Sequence, residues 1–189
     1  MAADPNPEEA TSRAAAPSLV TPEMEARRGQ WGLPRASLPI ERYDIRVWAI
    51  SAYWPETPPS LYWDEEYAAT TRWGGIVAPQ DFNPFGWPVG ARRDPDGGFS
   101  QPGVPAINGG QSDEYGVPLR PGDWVTERSR LQGWAERATR MGATVFVTTE
   151  VLWLNQLGEF VRRRISTNIR YRSDEAPSAD APAAEGASS

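Results

Sequence analysis

The chain of 189 residues contains no cysteine and no histidine, and it contains no lysine either: all 19 of its basic residues are arginine. Without cysteine there is no disulfide, no thiolate nucleophile and no cysteine metal site. Without histidine there is no imidazole base, no Ser-His-Asp triad and no histidine-ligated zinc. Without lysine there is no Schiff base, no P-loop lysine and no amine nucleophile. Acid–base work is left to Asp, Glu and Tyr, assisted by Arg and backbone N–H groups. Either the chain runs carboxylate chemistry or it transfers no proton itself. Its formal net charge of -6 argues against a nucleic-acid partner. No run approaches the roughly 18 consecutive apolar residues of a membrane span. The first residues, MAADPNPEEATSRAAAP, are acidic and lack the apolar stretch of a secretory signal. A soluble, cytoplasmic protein is expected.

What is present is unevenly distributed. The N-terminal stretch is rich in Ala, Pro, Glu and Ser, and residues 173–189 (SDEAPSADAPAAEGASS) are small and polar. Such segments bury too little surface to offset chain entropy. All nine Trp fall between Trp31 and Trp153. The reading is one folded domain over 30–172, with disordered tails at 1–29 and 173–189.

Within the domain the pattern changes three times. Ala36–Ile40 reads as a short extended segment. Asp44 can cap a helix through DIRVWAISAYW, with Ile45, Trp48, Ala49 and Ala52 at helical spacing; Pro55, Pro58 and Pro59 stop it. A second helix starts at Asp64 with acids in its first turn and runs to Gly74-Gly75. Residues 79–122 then hold nearly half of the Pro and Gly, and prolines 79, 84, 88, 95, 102 and 105 forbid a long helix there. The last third reads as three strands, 122–134, 143–154 and 159–172, with Asn155-Gln156-Leu157-Gly158 as a hairpin turn. Val145, Val147, Thr149, Val151 and Trp153 share one face; Phe146, Thr148, Glu150 and Leu152 share the other. Early helices and late antiparallel strands indicate an α+β fold.

Three stretches in order carry a family resemblance: 44–79 (DIRVWAISAYWPETPPSLYWDEEYAATTRWGGIVAP), 107–131 (INGGQSDEYGVPLRPGDWVTERSRL) and 145–171 (VFVTTEVLWLNQLGEFVRRRISTNIRY). Together they resemble the MaoC-like hotdog family, and within it the N-terminal, FAS1-like dehydratase branch. The resemblance implies a single hotdog fold, an antiparallel sheet around a helix, with that central helix shortened here by the prolines. It also implies acyl thioester substrates and (R)-specific enoyl-CoA hydratase or dehydratase chemistry. Two hotdog units pair to form the working site.

Active members of that family carry a D-x-N-P-I/L-H-x-D run whose Asp and His hold and deprotonate a water, while a later Gly amide polarises the thioester carbonyl. The matching run here is Thr57-Pro58-Pro59-Ser60-Leu61-Tyr62-Trp63-Asp64. Thr57 stands at the position of the Asp and Tyr62 at that of the His. The family's Ala-His-Gly turn reads Ala78-Pro79-Gln80, and Pro79 lacks an N–H to offer an oxyanion. Threonine is no base near neutral pH, and tyrosine ionises only near a pKa of about 10. The resemblance therefore implies a non-catalytic subunit, paired as a heterodimer or heterotetramer with a catalytic MaoC-like partner. A CoA thioester would be the substrate, with no cofactor and no metal.

Several residues have two readings. Thr57 and Tyr62 line the acyl site as a vestigial catalytic loop, or form a Pro-rich turn with a packed Tyr. Phe82, Phe85, Trp87 and Phe99 line a groove for a bulky acyl tail such as a sterol side chain or polyketide-like thioester, or fill the core or an interface. Arg92 and Arg93 are candidates to clamp CoA phosphates. In Arg162-Arg163-Arg164 the first and third point one way and the second the other, which favours a solvated strand face. Asp81, Asp113 and Glu114 are carboxylates beside turns, with a catalytic role or simple turn bonding open to them. Gly109-Gly110 admits a close neighbour or makes a plain turn. Two further functions stand beside the subunit reading: an autonomous carboxylate-dependent thioesterase or dehydratase, and a binding module with no acyl site.

Overall fold

A computed structural model of the chain describes residues 18–85 and 104–172. Three helices, α1 (Pro22–Arg27), α2 (Arg42–Tyr53) and α3 (Glu65–Thr70), accompany five strands: β1 (Arg35–Ala36), β2 (Ala106–Tyr115), β3 (Val125–Thr139), β4 (Gly142–Asn155) and β5 (Phe160–Arg172). The strands form one antiparallel sheet in the order β1-β3-β4-β5-β2. This is the hotdog architecture. Among the described residues no helix is long and apolar enough to cross a membrane.

The sheet follows from the pattern of its sequence. β4 alternates β-branched and apolar residues, and the inward set Val145, Val147 and Trp153 is buried as the period of two requires. The Asn155 side chain closes the β4–β5 hairpin by accepting from the amides of Leu157 and Glu159 at 3.0 and 2.9 Å, and Gly158 supplies a positive φ of 77°. β3 runs further than expected, to Thr139, through an irregularity between Leu131 and Gly133.

β2 is the strand that the sequence pattern hides. Its residues AINGGQSDEY carry no run of β-branched or aromatic side chains, yet it pairs with β5 along ten residues. Gly109 sits at the bulge, where a Cβ would stand 2.8 Å from Ile169 Cγ1 and 3.1 Å from the Thr167 carbonyl. The glycine pair thus admits a neighbouring strand rather than making a turn. β2 closes one end of the sheet, and among the described residues its outer edge has no partner strand.

The helices differ from expectation at their ends. α2 begins three residues early: Glu41, not Asp44, is the N-cap, and the Asp44 carboxylate accepts the Glu41 amide at 3.0 Å, so Asp44 is the third helical residue, closing a capping box. Asp64 does cap α3, accepting from the Tyr67 amide at 3.0 Å, but that helix ends at Thr70 rather than at the glycine pair. The Thr71 hydroxyl, donating to the Ala68 carbonyl at 2.7 Å, helps terminate it. After Ala78 the chain turns through residue 85 without forming a helix.

The N-terminal boundary needs correction. Residues 18–29 were expected in a disordered tail; they cover one end of the sheet. Leu19 and Met24 are fully buried in a cluster with Leu131, Val145 and Val147. Ser18 and the Leu19 amide both donate to Glu136 at 2.9 Å, and the Gly29 amide donates to the Leu131 carbonyl at 2.7 Å. The segment is anchored by this apolar cluster, against which Val20 also packs, together with those hydrogen bonds. The expected tail beyond residue 172 lies outside the described residues.

Met24→Ala is expected to destabilise the protein by about 2–5 kcal/mol, the cost of truncating a fully buried Met. Denaturant unfolding measures it; a tail residue would give no change.

Candidate functional site

The site is built where two turns meet the sheet. Val117-Pro118-Leu119-Arg120-Pro121-Gly122-Asp123 folds back on itself, with the Arg120 amide donating to Asp123 at 2.7 Å. The Arg120 guanidinium donates to the Trp73 carbonyl at 2.6 Å, and the Ala78 amide to the Leu119 carbonyl at 2.8 Å. These bonds press the Gly74-Gly75-Ile76-Val77-Ala78-Pro79 turn against the sheet. α2 adds Ile45 and Trp48 to a core shared with Val125, Trp153 and Val161.

Between these parts lies a cavity of about 200 Å³. One wall comes from Leu61, Tyr62, Val77, Pro79 and Phe82, the other from Tyr115, Leu119, Trp153, Val161 and Arg162. Both Val161 and Arg162 reach it because the β4–β5 register shifts between Trp153, opposite Arg162, and Leu154, opposite Phe160. Gly116 lets the wall close: a Cβ there would stand 2.0 Å from the Phe160 carbonyl oxygen. The described residues contribute no carboxylate to the lining.

The titratable groups that do line it stay protonated. Burial pushes the Tyr62 hydroxyl up from 10.0 to about 12, helped by its hydrogen bond with Tyr53 and by the nearby Asp81 charge. Tyr115 is also raised, first by burial and then by Asp113. Arg162 is cationic at any ordinary pH. The amides of Ala78, Gly116 and Val117 are already bonded to the carbonyls of Leu119, Val161 and Phe160, at 2.8 to 2.9 Å, and so offer nothing to an oxyanion.

A second cavity, of about 350 Å³, adjoins the first. Trp153 and Arg162 line both; Arg35, Asp81, Glu127 and Arg164 line the second alone. Its charges sit on the helix-covered face of the sheet. Only 7% of the Arg162 side chain, 8% of Glu127 and 13% of Asp113 are exposed. Charges buried to that extent cost several kcal/mol each unless they are paired, and they are. Asp113 accepts from Arg162 at 3.1 Å and from two nitrogens of Arg164 at 2.7 and 2.8 Å. Glu127 accepts the Trp153 indole N–H at 2.9 Å, and the Arg162 guanidinium stacks 4.7 Å from the centroid of the same ring.

Of the residues singled out in the sequence, Tyr62, Pro79 and Phe82 meet in the first cavity. Phe85 lies in the second, edge-on to Trp153 with ring centroids 5.6 Å apart. Thr57 is exposed and lines neither, so the two dyad positions do not converge on one site. Trp87, Arg92, Arg93 and Phe99 lie outside the described residues. Asp81 accepts the Trp48 indole N–H at 3.2 Å. Asp113 and Glu114 belong to strand β2, not to a turn. The solvated reading of the arginine run fails for Arg162, whose side chain is 7% exposed, and holds in part for Arg163 and Arg164, at 40% and 33%. Arg162 and Arg164 share a face as expected, but they point inward to Asp113, while Arg163 reaches the buried Glu150 on the opposite face at 2.7 Å. Sequence reasoning missed Tyr115, Leu119, Val161 and Arg162 as wall residues. The alternation in β5 carried the signal for Arg162; the usual solvent preference of arginine masked it.

A hotdog sheet with an apolar-lined cavity beside two family turns defines a class, and the sequence comparison agrees with it. The family model described as "FAS1-like, dehydratase domain region" matches residues 29–164. The chain belongs to that family. No curated protein matches the sequence. Among solved structures, the MaoC-like dehydratase from Rhodospirillum rubrum aligns at TM-score 0.52 and 21% identity, over 76% of this chain and 94% of that one. The ChsH1-ChsH2 complex from Mycobacterium tuberculosis aligns at TM-score 0.60 and 19% identity, over 82% and 90%. The C-terminally truncated HadBC (3R-hydroxyacyl-ACP dehydratase) complex from the same organism gives TM-score 0.52 and 21% identity, over 76% and 96%. At these identities the structural matches establish the fold.

Between the ordinary tyrosine value of 10.0 and about 12, the unfolded chain releases a proton that folded Tyr62 retains. Stability should therefore fall as pH rises through that window and stay flat below it. Denaturation at a series of alkaline pH values checks this. Tyr62→Phe flattens the fall, and the slope that remains belongs to Tyr115.

Proposed function

We propose that this chain is the non-catalytic subunit of a heteromeric (R)-specific enoyl-CoA hydratase or dehydratase. It shapes the acyl cavity, while a partner MaoC-like chain supplies the Asp/His dyad. One observation carries the reading: the cavity is lined by apolar groups, two tyrosines held protonated and one arginine, with no carboxylate among the described lining residues and no histidine anywhere in the chain. Such a wall binds an acyl chain but cannot take a proton from water near pH 7.

Three further features support it. The cavity of about 200 Å³ is below the roughly 300–1,000 Å³ of a complete small-molecule site, as half of a shared site would be. Among the described residues the outer edge of β2 has no partner strand, and the strand is exposed along nearly its whole length, a surface on which a second sheet can continue. Two of the structures with the same fold are complexes, ChsH1-ChsH2 and HadBC.

In this reading the CoA thioester is the substrate, and no cofactor takes part. The partner's Asp and His orient a water and remove its proton. The oxygen adds to the β-carbon of the enoyl group, and a proton returns to the α-carbon. The residues of this chain hold the acyl tail out of water: Phe82, Leu119, Val161 and Trp153 supply apolar surface, at about 25 cal/mol per Å² buried. Tyr62 and Tyr115 give the wall two neutral hydrogen-bonding hydroxyls.

Co-expression with a chain carrying the D-x-N-P-I/L-H run, followed by an enoyl-CoA hydratase assay, is the test. The complex should turn over and this chain alone should not. Turnover by the isolated chain, abolished in Asp81→Asn or Asp113→Asn, would replace this reading with an autonomous carboxylate enzyme. In the active complex, Tyr62→Phe removes only a hydroxyl and should cost less than the ~10²-fold expected for a general acid–base group.

A further inference from the structure

The second cavity has more hydrogen-bond donors than acceptors to satisfy them. Each carboxylate near it is already supplied. Glu127 receives the Trp153 indole N–H at 2.9 Å and lies 3.5 Å from the Arg35 guanidinium. Asp81 receives the Trp48 indole N–H, and Asp113, behind the cavity wall, receives three guanidinium bonds. The arginines are not used up in the same way. A guanidinium carries five N–H groups. Arg162 gives its Nε–H to Asp113, and Arg164 gives its Nε–H and one Nη. The Nε of Arg35 is buried with no hydrogen-bond partner among the described residues. Three guanidiniums thus face a space with two lining carboxylates, both occupied.

Position gives this surplus a use. The two cavities have Trp153 and Arg162 in both of their linings. The Trp153 N–H is held by Glu127, a residue of the second cavity, and the Arg162 guanidinium is stacked on the ring. A ligand chain too long for the first cavity that extended past Trp153 would come to Arg162 and to the second cavity's Arg164 and Arg35. A terminal methyl there would leave those donors without acceptors and displace the water that otherwise serves them.

We propose, resting on the acyl-cavity reading above, that the substrate's acyl group carries an oxygen acceptor at its far end, a carbonyl or a carboxylate, bound by Arg162, Arg164 and Arg35. The two sources share one chemistry, planar oxygen lone pairs that match the fork of a guanidinium. With Asp113 behind the wall, three carboxylates balance the three guanidiniums, so a carboxylate and a ketone alike would be held through the N–H groups these leave unused.

The active complex of this chain with its catalytic partner tests the proposal through kcat/KM. Three probes of equal chain length are compared: a straight-chain enoyl-CoA, the same thioester with a terminal methyl ketone, and the same thioester with a terminal carboxylate. At least one oxygen-bearing probe should exceed the plain one by about tenfold or more, the scale of a hydrogen bond to a charged group. The larger of the two ratios identifies the source. Arg164→Met should bring that ratio close to one, and Arg164→Lys should retain part of it. If Arg164→Met fails to fold, Arg35→Met, on a more exposed side chain, reads the same ratio. Equal kcat/KM for all three probes overturns this inference and leaves the subunit reading standing, as does a ratio that both methionine variants leave unchanged. No turnover of any probe by the complex overturns both.

Discussion

The indole of Trp153 joins the parts of the molecule that differ most in character. Its N–H is held by Glu127 on β3, its face lies under Arg162 on β5, and its edge meets Phe85 from the turn after Ala78. It is buried in the apolar core and lines both cavities. Because the ring is apolar on its faces and a donor at its edge, one side chain can end a greasy cavity and begin a charged one. The pairs around it depend on this. Glu127 is tolerable in the interior because it is bonded to Trp153 and approached by Arg35, and Arg162 because it is bonded to Asp113 and stacked on the ring.

That charged layer occupies a face of the sheet that hotdog packing would ordinarily fill with apolar side chains. Interior ion pairs rarely add stability when compared with well-packed hydrophobic residues. Their presence here has a positive reading only if something else uses them, and the donor surplus of the arginines points to a ligand. The same layer holds carboxylates away from the apolar cavity. Asp113 is turned to its arginines and Asp81 to Trp48. That arrangement is what the proposed division of labour, with binding here and proton transfer on a partner chain, rests on.

Much of the fold was legible because its signals are local. The β4 alternation, the Asn155–Gly158 turn and the Asp64 cap are each carried by a few adjacent residues whose conformational preferences agree with the outcome. β2 was not legible, because Ala106–Tyr115 forms a strand through pairing with β5 rather than through its own polar, glycine-containing composition. The segment 18–29 was assigned to a tail because its composition is mostly polar, while its anchoring rests on Leu19 and Met24 meeting residues more than a hundred positions later. The site was half legible. Tyr62 and Pro79 were singled out by the family motif and Phe82 as an aromatic of the Pro- and Gly-rich stretch, and the three do converge. Thr57 was singled out by the same motif and does not.

By itself the sequence determined which side-chain chemistries the chain lacks. With no histidine anywhere, and with Thr57 and Tyr62 where the family's run has Asp and His, it carries no imidazole base whatever its fold. It also determined the strands whose period of two is written in adjacent residues. Only the tertiary structure decided that Arg162 and Arg164 face inward. That choice depends on Asp113, about fifty residues earlier in the chain, arriving opposite them through the β2–β5 register. Side-chain polarity is a local property, whereas the partner that makes a buried charge tolerable is supplied by strand register, and register exists only once the sheet has formed.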